Sequence, residues 1–510
     1  MNRNIRFLIR VMLIFAGIIC ILTFAEYRAA DSTIHSIWDA IWYTLITLTT
    51  VGYGDKAPVT VLGRMLGIAL ALCSVGLLST LVGLVIHLLR KQLMPMLTLR
   101  GSRDLKWYVF NSKDRDAKVL ADKLAQEEDC LLIFPGNDDA SDQDIFDNRV
   151  YFDADADRLA GIRKNTDGIT MILMKDDPWE NYKEGLDAAR RGIESYCMAD
   201  IMEDNMPESL RLFGKEECLG RWYWQKYPLL SSEKCVVIIG CGRSGSAILQ
   251  SALITNVFAS DRITQYHVFE DSAGFEHLHP ELVRALRPGT TGEDSLSFHS
   301  ESWMEAVSLL RRADRIIVTG DRDSENLGVY EKLVTWFGLR DRVFVRLEQT
   351  VEGVPSFGES EKILTKEYVM KNALNAEAML MHEIYSRGAQ NPVPFEKLSY
   401  FLKQSNISAA DHLLVKIRCL LDDEKITEIT PQNCRRAYEV YLKTRDEKAD
   451  LYQEMEHRRW MRFHQLHNWT YNPVRNNEKR QHHLLLPYKE LDPSEQIKDA
   501  YAWEMLGNLY

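Results

Sequence analysis

Apolar residues are concentrated at the front of the chain and then thin into short, evenly spaced runs. Phe7 to Ala25 is apolar apart from Arg10 and Thr23, and Val61 to Leu89 is apolar apart from Arg64, His87 and a few small polar residues. Each run is long enough to cross a ~30 Å hydrocarbon layer as a helix. Arg3, Arg6 and Arg10 flank the first run, and Arg90, Lys91 and Arg100 follow the second. Positive charge gathers on the cytoplasmic side of a bilayer, so both termini are expected in the cytoplasm, with residues 26–60 outside or re-entrant. A cleaved leader fits less well: Phe24-Ala25-Glu26-Tyr27-Arg28 is bulky and charged where cleavage needs small residues.

From Leu97 onward no run could span a membrane. Short apolar segments (Trp107–Phe110, Leu131–Phe134, Thr170–Leu173) alternate with helix-like stretches such as Ala117–Glu127. That alternation predicts a parallel α/β sheet. After an aromatic linker, Arg221 to Leu230, the pattern restarts with strands expected at Cys235–Ile239, Tyr266–Phe269, Arg315–Val318 and Val343–Arg346. Two consecutive units of similar size read as a duplicated Rossmann-type domain. Residues 360–510 turn to helical periodicity, with many aromatics and histidines.

A chain of 510 residues is too long for one core, and several domains are expected. The net charge of -11 argues against nucleic acid as a partner. Nine cysteines without a C-x-x-C pair indicate reduced thiols rather than a disulfide framework or zinc module.

The most informative segment lies between the two apolar runs. Asp39 to Thr49 can form a short helix whose C-terminal carbonyls point toward a cation. It leads into Thr50-Val51-Gly52-Tyr53-Gly54-Asp55. Glycines at alternate positions permit dihedrals that turn successive carbonyls toward one axis. Carbonyls of Thr50, Val51, Gly52 and Tyr53, with the Thr50 hydroxyl, can replace the hydration shell of K+. One chain supplies one wall, so four are required.

Residues 38–64 resemble the pore of two-span potassium channels, through Ala40-Ile41-Trp42-Tyr43, Leu48 to Asp55 and Pro58-Val59-Thr60. The resemblance implies that Thr50 to Gly54 form the selectivity filter, and that Trp42 and Tyr43 pack around its tyrosine. Ile46 stands where some members carry a glutamate that pairs with the filter aspartate, which leaves Asp55 without that partner. Gly76, then Gly83, are candidate hinges in the second span, or else sites of close helix packing.

Val236 to Ser246 contains a G-x-G-x-x-G that follows a buried strand and opens a helix. Gly240, Gly242 and Gly245, with Arg243 and Ser244, would let phosphates approach backbone and the helix N-terminus. Glu270 ends the next strand, thirty residues beyond Gly240, and it or Asp271 could take ribose hydroxyls. Thr319-Gly320-Asp321 would lie at the same sheet edge. Residues 234–347 resemble the RCK (TrkA-N-like) domain, including Thr319 to Leu327. That implies a nucleotide-binding fold assembled as a gating ring, with an adenine nucleotide or NAD(H) as regulatory ligand. The earlier copy reads Phe110-Asn111-Ser112-Lys113-Asp114, lacks the glycines, and is expected to be structural.

Acidic segments 137–144 and 153–157 could hold Ca2+, but without the glycine and terminal glutamate of an EF-hand they read as solvated loops and caps. Glu456 to Trp460, Asn468 to Arg475 and His482 to Leu491 are dense in aromatic and basic residues, and resemble the ryanodine receptor (RyR) domain over roughly 450–509. His457, Trp460, Trp469, Tyr471, Arg475, Lys479 and Tyr488 are candidates for a second nucleotide pocket. A small aromatic core with arginines on its surface is the other reading. Zinc at His457, His464, His467, His482 and His483 lacks the usual ligand spacing.

The expected architecture is multidomain: a two-span α-helical pore domain (1–95), a degenerate Rossmann domain (103–220), a nucleotide-binding Rossmann domain (233–350), a helical connection (365–445) and a mainly helical module (450–510). The expected function is a homotetrameric, ligand-gated potassium channel of the cell (inner) membrane, in contact with lipid and with a nucleotide. A membrane-anchored sensor that does not conduct is the alternative. An enzyme fits poorly, since no substrate domain with a placed acid or base follows Leu347.

Overall fold

A computed structural model of the protein describes residues 3–89, 93–136, 148–153, 155–202, 204, 206–387 and 391–509. It divides into two compact units, one built on the first 103 residues and one on most of the remainder. The acidic segment 137–144 lies outside the described residues, apart from which Asp155 caps a helix and Asp157 pairs with Arg191 at 2.7 Å.

In the first unit, α1 (Arg3–Glu26), α2 (Ile37–Leu48) and α3 (Val61–Leu88) follow the apolar runs. A reciprocal capping box starts α2: the Asp39 N–H donates to Ser36 Oγ, and the Ser36 N–H donates to Asp39 Oδ2. Thr60 Oγ accepts the Gly63 N–H and starts α3. Leu22, Ile34 and Ala40 form a small shared core. Beside it, Glu26 is fully buried at the end of α1, where it accepts the N–H groups of Val59 and Thr60 at 3.1 and 3.0 Å, and the Thr60 hydroxyl. No side chain larger than hydrogen fits at Gly63, where a Cβ would stand 2.0 Å from Glu26 Oε1. α3 runs unbroken through Gly76 and Gly83. Phe24, Val61 and Leu72 are largely exposed on this single chain. Among the described residues no helix is long and apolar enough to cross a membrane. The spans expected at Phe7–Ala25 and Val61–Leu89 fall on α1 and α3, where many side chains lie outside the described set.

Except for Val150 and Tyr151, which are grouped with the first unit, the second unit holds the whole of two six-stranded sheets. The first has β1 (Lys106–Phe110), β2 (Cys130–Phe134), β3 (Arg149–Tyr151), β4 (Ile169–Leu173), β5 (Glu194–Met198) and β6 (Leu210–Phe213), in the order β3-β2-β1-β4-β5-β6. The second has β7 (Cys235–Ile239), β8 (Gln265–Phe269), β9 (Ser295–His299), β10 (Arg315–Val318), β11 (Val343–Arg346) and β12 (Ser356–Phe357), in the order β12-β11-β10-β7-β8-β9. Both repeat the doubly wound order 3-2-1-4-5-6. All five residues of β7 are buried because both faces are covered. Val236 and Ile238 face a core with Ile248, Leu249 and Tyr266, while Val237 and Ile239 face one with Trp303, Leu310 and Leu333. Ile239 is level with Val318 and Phe269, so the strands' C-terminal ends form one edge.

The segment read as an aromatic linker is instead mostly helix, Lys215–Lys226, with Trp222, Tyr223 and Trp224 buried. Gly220 lets it lie against the helix Arg243–Thr255, where a Cβ would stand 2.5 Å from the Ala247 carbonyl. Aromatic density here marks a buried helix rather than a solvated connection.

The C-terminal helices Tyr400–Leu421 and Ala449–Leu466 are anchored to this domain by buried charge. Arg462 pairs with Asp294 at 2.5 Å and Glu293 at 3.0 Å, and Arg458 donates to the Phe258 carbonyl at 2.7 Å. Lys416 and Arg459 both meet Glu456 at 2.6 Å. Burial alone would raise the Glu456 pKa, but these cations hold it far below the carboxylate range. Removing one partner of such a set leaves a buried charge uncompensated.

Candidate pore filter and nucleotide pocket

The candidate filter segment leaves α2 with a distinctive backbone. Thr50, Gly52 and Gly54 have φ of +58°, +56° and +76°, so alternate residues are left-handed. Such dihedrals cost little at glycine and are uncommon at threonine. The N–H groups of Val51 and Gly52 donate to the Ile46 carbonyl at 2.9 and 3.1 Å, which ties the start of the segment to α2. The Trp42 ring stacks on Tyr53 with centroids 6.1 Å apart and planes 4° apart, and its Nε1–H donates to Asp55 Oδ2 at 2.9 Å. Asp55 therefore has a partner that its sequence neighbourhood did not reveal. Tyr43 does not join Trp42 at the filter within this chain: its hydroxyl lies where a Cβ on Gly67 would stand, only 2.5 Å away. Lys56 pairs with Asp39 at 2.8 Å and donates to the Thr33 carbonyl, closing the far end of the loop.

At the C-terminal edge of the second sheet lies a pocket of about 670 Å³. Gly240, Glu270, Asp271, Gly320 and Asp321 all line it, so five of the residues read from sequence converge. Gly240 has φ +91°, and a Cβ there would stand 2.8 Å from the Gly320 nitrogen. Gly245 meets the Gly240 carbonyl more closely still, at 1.9 Å from a notional Cβ. Close backbone approach, the property a phosphate loop requires, is thus present. Other residues of the motif serve the loop rather than the cavity. Ser244 and Thr319 are buried, and the Thr319 hydroxyl donates to the Gly240 carbonyl. Arg243 is exposed on the first turn of its helix.

Glu270 and Asp271 both adopt left-handed backbone, at φ +63° and +54°. Desolvation, then the carboxylates of Asp271 and Glu325, holds Glu270 above its ordinary pKa. The Asp321 carboxylate stands about 3 Å from any Cβ on Gly242. Asn326, which belongs to the Thr319 to Leu327 stretch of the RCK resemblance but was not expected in the site, donates to the carbonyls of Gly320 and Arg346, both at 2.8 Å, and pins the ends of β10 and β11 together.

The first sheet repeats that device. Asn181 donates to the carbonyls of Lys175 and Met198 at 2.8 and 2.9 Å, across the ends of β4 and β5. Its crevice, however, is filled from within. Asn111 stands where the second domain has Gly240; its Oδ1 accepts the Met174 N–H at 2.7 Å and its Nδ2 donates to Asn181 and Glu184.

In the C-terminal module the seven candidates divide. His457 is buried, with Nε2 2.8 Å from the Leu486 carbonyl, and stacks on Trp460 at 5.6 Å. Trp469 is buried against Phe401, while Tyr488 donates to Gln453 at 2.9 Å. Trp460 and Trp469 share a cluster with His464 and His482. Tyr471, on the short strand Thr470–Tyr471, is exposed and does not share the burial of Trp469. Arg475 and Lys479 are exposed in the following loop, where Arg475 Nε donates to Asn477. No group of three or more metal-ligating side chains is found among the described residues.

Fold and site together define a class: a helical segment that carries a Thr-Val-Gly-Tyr-Gly loop, followed by two Rossmann-like α/β folds. Residues 7–91 match the family model for ion channels. The chain is 42% identical over 69 residues to a voltage-gated potassium channel of Aeropyrum pernix, covering 14% of this chain and 23% of that one. It is 40% identical over 68 residues to potassium voltage-gated channel subfamily A member 7 of Homo sapiens, covering 13% and 14%. It is 37% identical over 78 residues to the calcium-gated potassium channel TvoK of Thermoplasma volcanium, covering 14% and 22%. The chain thus spans less than a quarter of the length of these curated relatives. Among solved structures, GsuK bound to ADP aligns at 17% identity and a TM-score of 0.35, over 72% of this chain and 98% of that chain. The GsuK channel bound to NAD aligns at 15% and 0.33, over 73% and 85%.

Proposed function

We propose that the chain is one subunit of a homotetrameric, potassium-selective channel of the cell inner membrane, with both termini cytoplasmic, gated by a nucleotide at the 233–350 domain. The observation that carries this reading is the alternating left-handed backbone at Thr50, Gly52 and Gly54, within a segment that matches ion channels. Four such segments about one axis would present rings of carbonyls to K+ in place of water. α1 and α3 would cross the bilayer, and the apolar side chains exposed on one subunit, such as Phe24 and Leu72, would meet lipid or neighbouring subunits.

The ligand is proposed to be an adenine nucleotide or NAD(H). A pocket of about 670 Å³ suits that size, since ligand sites run from roughly 300 to 1,000 Å³. Glu270 or Asp271 would accept ribose hydroxyls, and the close glycines would admit phosphates. The first domain, its crevice occupied by Asn111, would help build a gating ring without binding ligand. The 450–510 module would be an RyR-type domain whose aromatics chiefly form its core. A ligand moves a pore from 1:99 to 99:1 open only if it binds one state ~10⁴-fold more tightly.

The test is purified protein in liposomes, assayed for K+ over Na+ flux with ADP, ATP and NAD(H). Selective flux that responds to one of them is expected. Nucleotide binding without flux would replace the channel with a membrane-anchored, non-conducting sensor.

A further inference from the structure

Three buried guanidinium groups of the second unit are matched by carboxylates. Arg221 pairs with Asp411 at 2.7 Å, Arg315 with Glu233 at 2.6 Å and Arg462 with Asp294 at 2.5 Å. In each, burial would lower the pKa, but the carboxylates, joined at Arg315 by the Tyr223 phenol, offset it and the net direction is upward. Arg262 and Arg418 behave differently. Both border a cavity of about 70 Å³ where the loop after the helix Arg243–Thr255, the end of the helix Tyr400–Leu421 and Leu229 and Ser231 come together.

Among the described residues, Arg262 donates to the Leu229 carbonyl at 3.2 Å, and Arg418 to those of Ile426 and Gln225 at 2.6 and 3.2 Å. Among the described residues neither has a carboxylate within ion-pair distance, although Glu424 is near enough to favour the charged form of both. Burial is the first influence on both and the net direction is downward, to about 10 for Arg418. Arg418 is 7% exposed and Asn256, which also lines the cavity, is 1% exposed. Among the described residues Arg262 Nε is buried without a hydrogen-bond partner, its guanidinium stacked on Phe258 at 3.5 Å, while the Asn256 side chain lies against the Tyr266 hydroxyl. A buried donor without a partner calls for a bound acceptor, and two guanidiniums on one cavity call for negative charge.

We infer that this cavity binds one small tetrahedral oxyanion, of phosphate or sulfate size, clamped by Arg262 and Arg418. The volume holds several water-sized centres, since one water needs roughly 10–15 Å³, yet falls far below the roughly 300 Å³ at which nucleotide-sized pockets begin. It is a different site from the nucleotide pocket. Two carboxylates also border it: Glu424 accepts the Ser231 N–H, and Asp422 is exposed. Their charge restrains affinity, so neutralising Asp422 strengthens binding. Because the cavity is walled by segments nearly 200 residues apart in sequence, the anion cements the nucleotide domain to the helical connection.

The experiment uses the full-length protein in detergent, with K+ and ionic strength held constant while phosphate replaces chloride. Wild type is expected to show saturable ³²P-phosphate uptake in equilibrium dialysis and a parallel rise in melting temperature, with sulfate competing. Arg262→Gln and Arg418→Lys should each weaken binding at least tenfold, and Asp422→Asn should tighten it about threefold. Gly242→Asp, in the nucleotide loop, should leave it unchanged. Failure of AMP to compete assigns the site to the free anion, whereas competition by AMP overturns the inference, because its ribose and base exceed the cavity. Absence of saturable phosphate binding to wild type overturns the inference, as does full binding in Arg262→Gln. Should Arg418→Lys fail to fold, Arg262→Gln, at a half-buried position, decides alone.

Discussion

Gly240→Ala isolates the geometry on which the proposed nucleotide pocket depends. The residue has φ +91°, and an added Cβ would stand 2.8 Å from the Gly320 nitrogen and 3.0 Å from its Cα. Both neighbours are backbone and cannot swing aside. A left-handed conformation costs an L-residue about 1–2 kcal/mol, and overpacking adds about 1–3 kcal/mol. Together they come to about 2–5 kcal/mol, relieved only by parting the ends of β7 and β10, between which the pocket opens. Calorimetric melting of the full-length protein should show a drop of several degrees in Tm. Titration with ADP or NAD should show at least a tenfold loss of affinity, the equivalent of about 1.4 kcal/mol. Asn111→Gly, at the corresponding turn of the first domain, removes a side chain instead of adding one and should leave nucleotide affinity unchanged. A Gly240→Ala protein that melts and binds like wild type would refute the close-approach argument, whatever the ligand.

Gly54→Ala, at φ +76°, should abolish K+ flux in liposomes while cross-linking still yields tetramers; normal selective flux would sink the filter assignment. Trp42→Phe keeps a ring over Tyr53 but loses the donor to Asp55, roughly 1 kcal/mol per subunit after allowance for exposure. Flux should then decay faster during sustained conduction, and an unaltered time course would count against the brace. Burial, the leading cause, lowers His412 and His464 to about 3, and His267, His467 and His482 to about 4. The unfolded chain therefore binds more protons between about pH 6.5 and 4, and stability measured by urea titration should fall as pH drops through that window. Arg475→Ala, at an exposed loop position, should change neither Tm nor the nucleotide response of the channel. A tenfold weaker response would instead make the C-terminal module a second ligand pocket.

Legibility in the sequence followed burial. β7, β10 and β11 were readable to the residue because each holds at least three consecutive apolar residues, with a single arginine at one end of β10 and of β11. β5, Glu194-Ser195-Tyr196-Cys197-Met198, was missed because its buried Ser195 interrupts any apolar run, and β9 because an edge strand hides little. At the pocket, the glycines and Asp321 were visible through their spacing, whereas the buried roles of Ser244 and Thr319 were not: a motif names residues but not the direction of their side chains. Glu26 and the indole partner of Asp55 depend on contacts 33 and 13 residues apart, which no local pattern encodes. Asn181 and Asn326 did leave a signal. Each lies six residues beyond the carbonyl it pins, Lys175 or Gly320, and superposing the two copies of the repeat would have found both.

The Glu26 clasp has a mechanical consequence for the proposed channel. It fastens the end of one long helix to the first turn of another, so that end of the pair is a fulcrum. α3 has 28 residues, a lever of about 42 Å at 1.5 Å per residue. Tilting it by about 10° about the clasp would leave the filter end almost still and swing the opposite tip by roughly 7 Å. A cytoplasmic ring then need supply only a modest sideways force at that tip to work a wide gate, while the ion-selective end keeps its shape.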